Sequence, residues 1–120
     1  MTVSQSDKAQ RFKALHERPG AFVIPNPWDA GTARILTSMG FDALTTTSAG
    51  LAFTLGRQDN HGAVTREETI DNAKAIVDAT DLPVAADLEH GFGDSPEACA
   101  ETILLADDAE LFRELGSLFL

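Results

Sequence analysis

Val84-Ala85-Ala86-Asp87-Leu88-Glu89-His90-Gly91-Phe92-Gly93 is a short apolar run that ends in two carboxylates two positions apart. The run predicts a buried strand. Side chains alternate along a strand, so Asp87 and Glu89 are expected on one face, roughly 6–7 Å apart. Two negative charges at that separation repel by about 2–3 kcal/mol at an effective dielectric near 20. Such a pair calls for a shared cation, or for one raised pKa. The glycines that follow let the backbone turn sharply or approach a ligand closely. The stretch therefore predicts the mouth of a metal-assisted site, although a pair of exposed loop acids after a buried strand would read the same on spacing alone.

Working outward, the strand is one beat of a repeating pattern. Ser6 to His16 has near-helical apolar spacing and predicts a short amphipathic helix, ended by Arg18-Pro19-Gly20. Ala21 to Pro25 predicts a buried strand. Asn26-Pro27-Trp28-Asp29 is turn chemistry, with Asp29 as N-cap of a helix through Ala33, Ile35, Leu36 and Met39. Asp42 to Thr47 predicts a second strand running into a Ser48-Ala49-Gly50 turn, and Leu55 to Val64 a polar loop. Thr65-Arg66-Glu67-Glu68 is a capping box for a helix carrying Ile70, Ala73, Ile76 and Val77. After Gly93, Ser95 caps a helix with Pro96 in its first position, running to about Ala106. Helix, then repeated strand-loop-helix, predicts an α/β fold with parallel strands and right-handed crossovers. In such folds chemistry gathers at the loops after the strands.

Composition narrows the partners. The chain has 120 residues and a formal charge of −10, which argues against nucleic acid or an anionic membrane surface. An anionic substrate would need a local positive centre, which a divalent cation at the carboxylates could supply. Cys99 is the lone cysteine, so no internal disulfide can form and a reducing, cytoplasmic setting is expected. No apolar run has membrane-spanning length, and Met1 to Arg11 does not resemble a secretory signal.

Four motifs occur in order: Asn26-Pro27-Trp28-Asp29-Ala30, Thr46-Thr47-Ser48-Ala49-Gly50, Leu55-Gly56-Arg57-Gln58-Asp59 and Asp87-Leu88-Glu89-His90-Gly91-Phe92-Gly93. Together they resemble the isocitrate lyase/phosphoenolpyruvate mutase superfamily, most of all its small bacterial members, from about Phe22 to Thr102. The resemblance implies the N-terminal part of a (β/α)₈ TIM-type barrel, about three βα units plus a leading helix. It also implies Mg²⁺ and an α-oxycarboxylate (a 2-oxo or 2-hydroxy acid) at the barrel mouth, with C–C or P–C bonds made or broken beside the carboxylate. On that likeness Asp87 is the Mg²⁺ ligand. Glu89 takes the place of a second acid, one methylene longer than the usual aspartate and so suited to a water-mediated role. Asp59 is the acid at the chemistry itself, reaching the metal through water. Ser48, Ala49 and Gly50 match the segment whose hydroxyl and N–H groups bind the substrate carboxylate.

A barrel of this kind takes about 250 residues. The likeness also implies a later metal-associated glutamate, a catalytic loop with lysine or cysteine, and a substrate arginine, none of which has a counterpart in these 120 residues. The expected organisation is thus a barrel portion over 1–106 and a divergent, helical tail over 107–120, as a truncation or frameshift would leave, inactive alone. The alternative is a non-catalytic half-barrel that serves binding or assembly, because open strand edges invite self-association. His90, next along a strand end, should point away from the acids. His16 and His61 read as surface residues, Cys99 as a buried small apolar residue, and Arg57 as a weak candidate for holding an anion.

Overall fold

The computed structural model describes residues 3–60 and 62–108. Each helix begins at a side chain that takes up an orphan N–H. Ser4 and Asp7 form a reciprocal capping box at α1 (Gln5–Glu17), and Asp29 and Thr32 form one at α2 (Ala30–Ser38). Thr47 caps α3 (Ser48–Thr54), and Thr65 with Glu68 boxes α4 (Arg66–Asp78). The Ser95 hydroxyl accepts the Ala98 N–H at 3.1 Å to open α5 (Pro96–Asp108), two residues longer than expected. Asp29, Thr65 and Ser95 were legible as caps; Ser4 and Thr47 were not. The rest of the expected tail, from 109 onward, lies outside the described residues, as does His61.

Two strands, β1 (Leu44–Thr45) and β2 (Val84–Ala85), pair in parallel with Leu44 opposite Val84. Both are shorter than the sequence predicts. The expected strand over Ala21–Pro25 forms no regular ladder, although the Pro25 carbonyl accepts the Thr45 N–H at 3.1 Å. Pro25 and Pro27 have no N–H to give, so the pairing cannot extend past that rung. The Asn26 amide stands in, donating to the carbonyls of Thr45 (3.1 Å) and Thr46 (3.4 Å).

Leu44 packs with Ala33 of α2 and Ile76 of α4, and Val84 closes that cluster. Ala73 and Val77 of α4 meet Ala106 of α5 on the same side, again against Val84. The helices thus cover one face of the paired strands, while Thr45 and Ala85 turn to the other. α1 is held beneath by Lys8. That side chain is buried and donates to the carbonyls of Thr80 (2.6 Å) and Val77 (3.3 Å) at the end of α4. Burial lowers the Lys8 pKa, and Asp81 and Asp78 work against that fall. A cation donating to the last carbonyls of a helix satisfies orphan acceptors and suits the helix dipole. No helix among the described residues is long and apolar enough to cross a membrane.

Candidate metal and substrate site

The site is built where the parallel ladder stops being regular. Leu44 N–H donates to Pro83 O at 3.0 Å, and Thr46 N–H to Ala85 O at 2.9 Å. A regular parallel ladder would next send the Asp87 N–H to the Thr46 carbonyl, then the Ser48 N–H to the Asp87 carbonyl. Side chains take both places. The Asp87 N–H donates to the Thr46 hydroxyl at 2.8 Å, and the Ser48 N–H to Asp87 Oδ2 at 3.0 Å. The Glu89 N–H adds a third bond, to Asp87 Oδ1 at 2.9 Å.

These bonds set the charge on Asp87. Burial pushes its carboxyl up, but the N–H groups of Ser48 and Glu89, with the Ser48 hydroxyl, outweigh it and hold the pKa below the ordinary value. Asp87 is therefore an anion, half-buried, with each oxygen accepting one backbone N–H.

Glu89 does not continue the strand that alternation assumes: its backbone is left-handed (φ +50°), so the chain has already left the strand and entered a turn. The Glu89 side chain is only 14% exposed, and its Oε2 lies 3.8 Å from His90 Nδ1. His90 Nδ1 thus lies on the side of the neighbouring Glu89 carboxylate. The turn rests on α5: Thr102 Oγ1 donates to Gly91 O at 2.7 Å and Cys99 Sγ to His90 O at 3.4 Å. Gly91 has φ +84°, and a Cβ there would lie 2.6 Å from Cys99 Sγ, so only glycine fits. Cys99 is half-buried beneath the turn, less enclosed than expected.

Ser48, Ala49 and Gly50 are the first turn of α3, not a strand-to-loop turn. The Thr47 hydroxyl accepts the Gly50 N–H at 3.3 Å and starts the helix. β-branched threonines read as strand, and that masked the cap. Gly50 is buried against Trp28, whose Cδ1 would lie 2.3 Å from an added Cβ. Trp28 in turn meets Phe53 edge-on at 6.0 Å.

Asp59 is exposed in the loop before α4. That loop is held by Arg57, which grips Glu68 with two nitrogens (2.7 and 3.0 Å) and the Ala63 carbonyl at 3.0 Å. The guanidinium and the Thr65 N–H carry the Glu68 carboxyl down to about 2. Arg57 thereby ties the loop to α4 through three hydrogen bonds. Asp29, with its pKa lowered chiefly by the Thr32 N–H and hydroxyl, is a cap as expected.

No three His, Cys, Asp or Glu side chains among the described residues stand together as a metal cluster. Asp87 offers hard oxygen donors and is held ionised, with Glu89 two residues on in the turn that follows. That donor set fits a Mg²⁺ ion, which binds through one or two carboxylates and keeps several waters.

Comparison with known proteins places this geometry. Residues 12–112 match the family model for phosphoenolpyruvate phosphomutase. The chain is 40% identical over 91 residues to a 2-methylisocitrate lyase of Halalkalibacterium halodurans, covering 75% of this chain and 30% of the relative. The crystal structure of a candidate lyase/mutase from Burkholderia cenocepacia J2315 superposes with a TM-score of 0.83 at 58% identity, over 88% of this chain and 37% of that one. A 2,3-dimethylmalate lyase structure gives 0.73 at 31% identity, over 91% and 37%. The chain spans about a third of the length of the relatives it matches.

Proposed function

This chain belongs to the phosphoenolpyruvate phosphomutase family, within the isocitrate lyase/phosphoenolpyruvate mutase superfamily, and from that premise we propose that it forms the N-terminal portion of a TIM-type barrel lyase or mutase. The whole enzyme acts on C–C or P–C bonds beside the carboxylate of a small 2-oxo or 2-hydroxy acid, in the cytoplasm. The observation that carries this reading is the ionised Asp87 carboxylate, fixed by two N–H groups at the end of β2 within the family motif.

In this reading Asp87 holds Mg²⁺ directly, and Glu89 and Asp59 reach it through water. The ion, when bound, supplies Lewis-acid polarisation of substrate oxygens. The chain's own residues do the rest. The segment Ser48-Ala49-Gly50 meets the substrate carboxylate. Its Ser48 and Gly50 N–H groups are held by Asp87 and Thr47, so the Ala49 N–H is the donor assigned to the carboxylate, where a fixed donor stabilises developing negative charge. Trp28, packed on Gly50, sets the position of that turn. Asp59 lies on a loop held by Arg57 and Glu68, so it can approach substrate without disturbing the ladder. The 120 residues alone are expected not to turn over, because the acid/base loop and substrate arginine of the family are not among them.

Calorimetric titration with Mn²⁺ or Mg²⁺ tests the reading. Wild type should bind, and Asp87→Ala should not. Equal binding by both would overturn it.

Exposed apolar side chains favour a second reading, a half-barrel that works by association. Val23 is 69% exposed, Met39 66% and Leu104 63%. Light scattering after size exclusion would support it if the chain is a dimer that binds no metal; a monomer that binds Mg²⁺ would reject it.

A further inference from the structure

The bonds that fix Asp87 run through a residue outside the expected site. Thr46 is 6% exposed at the end of β1. Its N–H completes the last backbone rung to Ala85, and its carbonyl is met by the Asn26 amide. Its hydroxyl is thereby left as the acceptor for the Asp87 N–H. A β-branched side chain on an extended backbone has few χ1 choices, so the hydroxyl is stiffly aimed. Fixing the Asp87 N–H sets the peptide plane from which its Cα–Cβ bond departs, and so constrains where the carboxylate meets the Ser48 and Glu89 N–H groups.

We infer that Thr46 is a positioning residue for the Asp87 carboxylate, setting the acid's aim through the hydroxyl that replaces a ladder carbonyl. The inference rests on the reading of Asp87 as the metal-holding acid. Volume and hydroxyl can be separated chemically. Valine keeps the branch and leaves the Asp87 N–H without its acceptor, whereas serine keeps the acceptor and loses a methyl group. Thr37 is the control: its hydroxyl bonds Ala33 O at 2.8 Å and Thr80 Oγ1 at 2.7 Å, on the helical side of the molecule.

The experiment combines Mn²⁺ titration with amide exchange at Asp87, read by NMR on the 120-residue chain. Thr46→Val should weaken Mn²⁺ binding roughly 10–100-fold, the loss typical when a partner of a metal ligand is removed, while Thr46→Ser stays within about threefold of wild type. The Asp87 amide should exchange at least about tenfold faster in Thr46→Val, and close to the wild-type rate in Thr46→Ser. Thr37→Val should lower stability and leave both readouts unchanged. Wild-type affinity and a protected Asp87 amide in Thr46→Val would overturn the inference. So would equal loss of affinity in Thr46→Val and Thr37→Val, which would mark a general effect of stability. If wild type binds no Mn²⁺, or Asp87→Ala binds as well as wild type, the metal reading fails instead. Amide exchange then decides alone: an unchanged rate in Thr46→Val still overturns the positioning role.

Discussion

The turn over 87–93 and the loop over 55–64 each carry an acid that the sequence marks, and they are held by opposite means. Asp87 is fixed by short hydrogen bonds from backbone N–H groups at the end of a parallel ladder, and its turn is packed on α5. Asp59 lies on an exposed loop whose main tie is a surface arginine–carboxylate pair. Partly buried hydrogen bonds to an ion are strong and little screened, whereas exposed ion pairs are weak and yield to salt. One acid is therefore held directly by hydrogen bonds to its carboxylate, and the other only through the loop that carries it.

The largest expected effect probes the packed turn. Gly91→Ala forces a side chain into a left-handed backbone and against Cys99. It should cost about 2–5 kcal/mol, the sum of the left-handed and overpacking penalties, read from urea denaturation. A loss no larger than that of a surface substitution would show that the turn yields and is not preorganised.

Next is Asp87→Asn, which sets an amide NH₂ against the N–H of Ser48 or Glu89. It should destabilise by about 1–3 kcal/mol as well as abolish metal binding. An Asn variant as stable as wild type would mean that the two N–H groups do not depend on the carboxylate.

A smaller effect is expected at the loop. Glu68→Gln removes a carboxylate whose folded pKa is about 2, below its ordinary 4.5. A depressed carboxyl contributes stability that is whole above its unfolded pKa and is lost as pH falls through the folded one. Wild type should therefore lose ground relative to Glu68→Gln between about pH 4.5 and pH 2. Stability curves at several pH values in that window check it, and parallel curves would remove the claim.

The smallest difference comes from salt. At 1 M the Debye length falls to about 3 Å, so the Arg57–Glu68 advantage should shrink, whereas the effect of Asp87→Asn should barely change. Equal salt sensitivity at both places would erase the distinction between the two regions.

The candidate acids were legible because the motif is contiguous: a strand, Asp87, Glu89 and glycines lie within ten residues. How they are held was not. Strand alternation expected Glu89 on the face of Asp87 by extending a strand that in fact stops at Ala85, with Glu89 in a left-handed turn beyond it. Arg57 read as free for an anion because its partner Glu68 is eleven positions on, already counted as a helix cap.

What the sequence by itself determined depends on neighbours within about a helical turn: the caps at Asp29, Thr65 and Ser95, the alternation of apolar runs and helices, and the acids just past an apolar run. The tertiary structure alone decided that Lys8 is buried against residues 69 and 72 positions away. It also decided that Asp87 is bonded to Ser48 and Thr46 across 39 and 41 positions. A side-chain hydrogen bond of that span exists only after parallel pairing brings two strand ends side by side, and nothing in the local sequence of either end encodes the other.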